Sequence, residues 1–274
     1  MILATLGVLV RIVSNSYLNV FQKILTTKEQ NSSVINFYTY VGLTLLGLLC
    51  VSQITFTSQL LVNALIMGCL GALGNYYIIK ALSLGELSII APINSYKPVV
   101  AMLIGFFYLR EIPTPADMTG ILLIILGTYL ILNIKNGAKI SKRAIFYRVL
   151  ALVFSGSEAI FIKKVILISG ISNAFFLWAI SGLIFSTIFM LFSKHKPVIK
   201  SLKYQVLLIL AVALMQYSTN YVFSVMNVAS ALALFQLSTL FSVFLGVNIF
   251  KESNFREKLL GAFIMLFGAV AIIL

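Results

Sequence analysis

The second half of this 274-residue chain repeats the first at a single offset of 141 residues. That register pairs Ser14 with Ser155, Ser16 with Ser157, Lys23 with Lys164, Tyr76 with Tyr217, Gly105 with Gly246, Glu111 with Glu252, Gly120 with Gly261 and Gly127 with Gly268. Each half holds five apolar stretches, near 2–22, 33–52, 59–82, 87–109 and 116–134, then 145–168, 172–192, 203–226, 229–250 and 256–274. A bilayer core of about 30 Å needs roughly 20 apolar residues per helix, and these stretches meet that length. An odd number of crossings per repeat forces the two halves into opposite orientations. The chain is thus predicted to be an all-α integral membrane protein of ten transmembrane helices in two inverted five-helix repeats. The first repeat spans 1–134, a linker rich in lysine spans 135–143, and the second spans 144–274.

Composition agrees: 61% hydrophobic, 10% charged and a mean hydropathy of +1.06 are too apolar for a water-soluble globule. Long unbroken apolar runs, rather than ten-residue alternating ones, argue against a membrane β-barrel. The first stretch lacks a basic leader and a small-residue cleavage site, so it reads as a retained helix. Cys50 and Cys69 fall inside apolar segments and read as packing residues, and His195 lies in a basic loop and reads as solvated. Without ligand spacing there is no zinc site and no Cys/His nucleophile to expect. No phosphate-cradling loop for ATP is present either. No cofactor and no enzymatic activity are therefore expected.

The net charge of +13 does not point to nucleic acid, because the charges are segregated. Fifteen of the 20 Lys and Arg, Arg148 and Lys258 among them, sit at or beyond the ends of the odd-numbered segments, against Arg110, Lys163 and Lys164 on the other side. Anionic headgroups of one leaflet account for the split, and the positive-inside rule places both termini outside.

Three charges lie deep in apolar segments: Arg11, Lys97 and Glu158. Each costs about 2.5–3.5 kcal/mol at the bilayer centre, so they should face a wet cavity, a partner charge, or both. Lys97 and Glu158 come from opposite repeats. They could form a substrate site, or pair simply to lock the halves. Around them stand Asn15, Asn19, Asn75, Tyr76, Asn94, Tyr96, Gln216, Tyr217, Asn220, Tyr221 and Gln236. Gln216, Tyr217, Asn220 and Tyr221 read as one polar and aromatic stripe that suits a small, partly apolar solute. Hydrogen bonding between helices is the other use for such residues. Pro92 and Pro98 bracket Asn94–Lys97 in the fourth segment, and a proline interruption survives at membrane depth only against protein or a water-filled cavity. Thr239 occupies the place of Pro98 in the second half, so the ninth segment is predicted to be straighter. Gly120 with Gly127, Gly261 with Gly268, and Gly68, Gly71 and Gly74 read as close-packing faces without a substrate role.

These residues resemble the ten-helix drug/metabolite transporter superfamily of EamA type. The resemblance rests on the two five-segment halves, a glutamate closing the fourth and ninth segments (Leu109-Arg110-Glu111 and Phe250-Lys251-Glu252), and a glycine nine residues later at Gly120 and Gly261. A proline thirteen residues before the glutamate is present as Pro98, whereas the second half has Thr239. Asn15-Ser16 replaces the family's aromatic-glycine pair, and Tyr38 and Tyr40 stand where an arginine is common. The resemblance implies a cavity lined by segments 1, 3, 4, 6, 8 and 9, with both termini in the cytoplasm, opposite to the charge rule. It also implies substrates ranging from amino acids and amines to nucleotide sugars and sugar phosphates.

The function expected is that of a secondary transporter in the plasma (inner) membrane, working by alternating access around one central site, as inverted repeats do. Lys97 would hold a carboxylate or phosphate. Glu158 would hold an amine, or carry a coupling proton. A zwitterion such as an amino acid fits that pair, with a nucleotide-sugar or sugar-phosphate exchanger and a lipid flippase as alternatives. The partners expected are a small molecule and the bilayer, with monomer and homodimer both open.

Overall fold

The structure, a computed structural model, describes residues 2–97, 99–100, 114–132, 141–193, 196–226 and 228–271. Within them the chain is helical. The first half contributes α1 (Ile2–Thr27), α2 (Ser32–Cys50), α3 (Ser58–Leu84), a short α4 (Leu87–Ile90) that passes into a 3₁₀ turn (Pro92–Tyr96), and α5 (Pro115–Leu132). The second half contributes α6 (Lys142–Ser169), α7 (Ile171–Phe192), α8 (Leu202–Val225), α9 (Val228–Phe235), α10 (Leu237–Phe250) and α11 (Phe255–Ala271). Six of these, α1, α2, α3, α6, α7 and α8, are long and apolar enough to cross a membrane, and α10 is apolar but shorter. Leu49 and Phe192 are 82% exposed, which a lipid environment accommodates and water would not.

Local chemistry sets the ends. Asn31, Thr57 and Ser141 cap α2, α3 and α6 by accepting from the amides of Ser33, Leu60 and Ala144. Gly170, at φ +81°, is the single residue that turns α6 into α7, a conformation that an L side chain would strain. Helix α4 ends because Asn94 N–H bonds to the Ala91 carbonyl, three residues back, rather than to Ile90. Pro92 lacks the donor that would continue the α pattern.

The most extensive packing joins helices of different halves: α1 with α8, α3 with α6, α2 with α7, and α5 with α11. Small residues permit the closest of these. A Cβ at Gly127 would stand 2.5 Å from the Gly261 carbonyl oxygen, and one at Gly268 2.5 Å from the Gly120 carbonyl oxygen. Such contact brings backbones together without side chains between them.

Several expectations need correction. The ninth segment, predicted to be straighter for want of a proline, is interrupted at Gln236, between α9 and α10. Gln236 stands at the 141-residue offset from Ser95, inside the 3₁₀ turn, so both halves break at the same register position. Proline is thus not required for the break. Cys50 is exposed at the end of α2 and packs no core, while Cys69 is half-buried. Lys258 is not a headgroup contact: it is fully buried and pairs with Glu86. Lys23 donates to the Leu82 and Gly85 carbonyl oxygens at 2.7 and 2.6 Å. Pro98, Arg110, Glu111 and His195 lie outside the described residues.

Candidate functional site

A cavity of about 140 Å³ lies between the halves, lined from α1, α3, α4 and its 3₁₀ turn, and from α6, α7, α8, α9 and α10. Lys97 and Glu158 both line it, as do Arg11, Asn15, Asn19, Asn75, Asn94 and Gln216. The fourth charge is Arg148, which the sequence reading left with the basic loop. It sits seven residues into α6, is 6% exposed, and lines the same cavity.

Arg148 is there because the break in the fourth segment needs it. The 3₁₀ turn leaves the Ile90 carbonyl oxygen without its helical donor, and Arg148 Nε supplies one at 3.0 Å. Its Nη2 reaches Asn94 Oδ1 at 2.7 Å, and Asn94 Nδ2 in turn donates to Gln236 Oε1 at 3.1 Å. The breaks of the two halves are thus joined through Asn94 and Gln236, with Arg148 bracing one of them. Fully partnered, such a network keeps a buried polar break from becoming a penalty.

Glu158 is 8% exposed on α6 and accepts from Trp178 Nε1 at 2.5 Å. Gly71 on α3 makes room for this pair, since a Cβ there would collide with both Glu158 and Trp178. The glycine therefore shapes the cavity as well as the packing. Across the cavity, Arg11 Nε donates to Thr219 Oγ1 at 2.7 Å, and its guanidinium stands 4.8 Å from the centre of the Phe235 ring. Arg11 Nη1 is buried without a hydrogen-bond partner among the described residues. The Lys97 ammonium likewise has none, and it lies within electrostatic reach of Arg11, Arg148 and Glu158.

The uncharged residues divide. The Asn19 amide lines the cavity with no hydrogen-bond partner among the described residues. Asn15 donates to Ser238 Oγ at 3.0 Å, tying α1 to α10. Asn75 accepts from Gln22 at 2.8 Å and donates to Asn36 at 2.7 Å, so its amide is occupied by α1 and α2. Gln216 donates to Asn220 at 2.9 Å, and Asn220 turns away to the Ile171 carbonyl oxygen at 3.3 Å.

The proposed stripe on α8 therefore splits. Tyr217 is 41% exposed and meets Ser172, while Tyr221 lies against Gly7 of α1. Tyr76 packs on Tyr77 and Phe189, Tyr96 bonds Thr128 at 2.8 Å, and Gln236 is fully buried in the break. None of Tyr76, Tyr96, Tyr217, Asn220, Tyr221 and Gln236 lines the cavity. Spacing of one and four on a helix covers too wide an arc for one wall, and tyrosines serve packing as readily as pockets. Trp178, Thr219, Ser238 and Phe235 do line the cavity and were not foreseen. Trp178 is the chain's only tryptophan, and that rarity was the one available signal.

The EamA-like transporter family model matches the chain twice, over residues 2–133 and 142–274. The chain belongs to the EamA-like transporter family. Its members are membrane transporters of small molecules, and the apolar helices make this an integral multi-pass membrane protein. The chain is also similar to an uncharacterized protein of Methanocaldococcus jannaschii, 36% identical over 95 residues that make up 34% of this chain and 69% of the relative. A solved structure described only as "Crystal structure of protein" shares the fold at a TM-score of 0.67 and 14% identity, covering 98% of this chain and 95% of that one.

Proposed function

We propose that this protein is a secondary transporter that carries a small organic metabolite across the plasma (inner) membrane. It would work by alternating access of two inverted halves, 1–134 and 144–274, joined by the linker 135–143. The observation that carries this reading is a polar cavity between the halves, to which the first contributes Lys97 and Arg11 and the second Glu158 and Arg148. Charges at membrane depth are costly enough to mark a solute or ion path.

The pairing of helices supports the inversion. Under the 141-residue offset, α1 with α8 exchanges with α6 with α3, whereas α2 with α7 and α5 with α11 map onto themselves. That is the contact pattern of a pseudo-two-fold axis, around which the two exits of one site can alternate.

The size of the cavity supports a small solute. A closed apolar cavity of roughly 150 Å³ takes up benzene, so about 140 Å³ favours a metabolite of that scale over a nucleotide sugar. A carboxylate or phosphate would meet Lys97, and both a zwitterion and an organic anion satisfy that description. Glu158 would then receive an ammonium group or a proton. The apolar cleft between α1 and α8, lined by Leu9, Val13, Leu210 and Leu214, has no charged side chain to grip a lipid headgroup.

A thermal-shift screen of amino acids, sugar phosphates, nucleotides, amines and organic acids on detergent-purified protein tests this reading. A compound that stabilises the wild type but not Lys97→Gln supports the cavity as the site. A compound whose effect survives both Lys97→Gln and Glu158→Gln would move the site elsewhere.

A further inference from the structure

Resting on the transport reading above, we infer that the cavity takes a solute of net negative charge, a small organic anion with a carboxylate or phosphate head, and that its binding draws a proton onto Glu158. The head-group site lies between Arg11 and Lys97.

Unused bonding capacity locates the head group. Arg11 is 91% buried by its 9% exposure, and one of its terminal nitrogens has no hydrogen-bond partner among the described residues. An unpaired buried guanidinium N–H is unfavourable unless an acceptor arrives. The Lys97 ammonium, in the same cavity, also lacks a partner there. By contrast Arg148 is engaged at Ile90 and Asn94, and acts as a brace rather than a ligand. Phe235, whose ring the Arg11 guanidinium covers, lines this end of the cavity and holds the arginine in place.

Charge balance gives the sign of the solute. Among the described residues the cavity holds three cations, Arg11, Lys97 and Arg148, against one carboxylate, Glu158. A zwitterion leaves that surplus untouched, whereas an anion reduces it.

The same charges give the coupling. The groups that face Glu158 are Arg11 from α1, Lys97 beyond the 3₁₀ turn, the Tyr40 hydroxyl from α2 and the Trp178 indole from α7, with Arg148 further along its own helix. Gly71 of α3, and Thr219 and Gln216 of α8, add no titrating group. The positive field of Arg11 and Lys97 favours the ionised form of Glu158, against the burial that opposes it. An anion between them cancels part of that field, so the carboxylate takes up a proton more readily. By reciprocity, a protonated Glu158 stops competing for the two cations and the anion binds more tightly. Proton and anion would therefore travel together. An ammonium-bearing solute does the reverse, because it competes with the proton for Glu158.

Trp178 provides a direct readout, being the only tryptophan and hydrogen-bonded to Glu158. The test is to follow its emission in purified protein from about pH 5.5 to about pH 8, where a carboxylate solute stays ionised. The probes are lactate, its ammonium counterpart alanine, and glycerol 3-phosphate. Lactate affinity should rise by up to about tenfold per pH unit of acidification, the limit for one linked proton, and alanine should bind at least about tenfold more weakly at the acid end. Glu158→Gln should bind lactate with its acid-side affinity at every pH. Arg11→Gln and Lys97→Gln should each lose at least about tenfold in lactate affinity, while the ligand-free pH response of Trp178 persists and shows the cavity intact.

Displacement of lactate by glycerol 3-phosphate would assign a phosphate head, and its failure to displace would assign a carboxylate. Alanine binding more tightly than lactate and weakening with acid would overturn the anion inference and leave the transport reading standing. No response to lactate or glycerol 3-phosphate at acid pH would also overturn it. Lactate binding with the expected pH sign, but no lactate counterflow in proteoliposomes, would keep the anion site and remove the transport reading.

Discussion

Arg148 Nε donates to the Ile90 carbonyl oxygen at 3.0 Å, the one that the 3₁₀ turn leaves without its helical partner. The arginine is thus a structural brace at the edge of the cavity between the halves. Its replacement by leucine would strand both that carbonyl and the Asn94 amide oxygen, at about 1–3 kcal/mol for each buried group. Arg148→Leu should therefore lower the melting temperature of the detergent-solubilised protein markedly. Arg148→Lys, able to reach one acceptor, should recover roughly half of the loss. An unchanged melting temperature in Arg148→Leu would mean that the carbonyl is satisfied by water.

Lys258 and Glu86 form a lopsided pair, the lysine fully buried and the glutamate side chain 30% exposed. Removing the glutamate leaves an uncompensated buried ammonium, for which the penalty is about 3–5 kcal/mol. Removing the lysine leaves a carboxylate that water can still reach. Glu86→Gln should thus destabilise more than Lys258→Met in thermal unfolding, and the double variant should resemble Lys258→Met. Equal effects of the two single variants would show that the pair contributes nothing beyond packing.

Two glycines should respond oppositely to alanine. At Gly127 a Cβ would stand 2.5 Å from the Gly261 carbonyl oxygen, an immobile backbone atom, so α5 and α11 must part. Overpacking of that kind costs about 1–3 kcal/mol. At Gly156 the nearest atom is 3.7 Å away, so Gly156→Ala should be neutral or raise stability by up to about 1 kcal/mol through helix propensity. Thermal melts of the two variants side by side check this.

Glu158 is the carboxylate that lines the cavity among the described residues, and its glutamine variant keeps an oxygen for Trp178 to donate to. If Glu158 carries the coupling proton, Glu158→Gln should abolish pH-gradient-driven uptake in proteoliposomes while solute exchange persists in part. Undiminished proton-driven uptake by this variant would reject the coupling role and leave Glu158 as a binding group alone.

The helical, membrane-embedded architecture was legible without coordinates because hydrophobic length and the 141-residue repeat are properties of one dimension. Lys97 and Glu158 stood out on the same ground, since isolated charges inside apolar runs need a reason wherever the helices lie. The tertiary structure decided which polar residues face inward. Asn19 and Asn75 both line the cavity, yet Asn75 is occupied by Gln22 and Asn36 and Asn19 is not, a difference set by neighbours from other helices. Arg148 and Lys258 read as loop charges because they lie near helix ends, but a long side chain near an end can turn inward when a stranded carbonyl or carboxylate waits there. The break at Gln236 was equally invisible, because no proline marks it and its side chain is held by Asn94 across the interface. Sequence periodicity specifies which residues cross the membrane. Which of them remain free to meet a solute depends on hydrogen-bond partners from distant segments, and these exist only once the halves have packed.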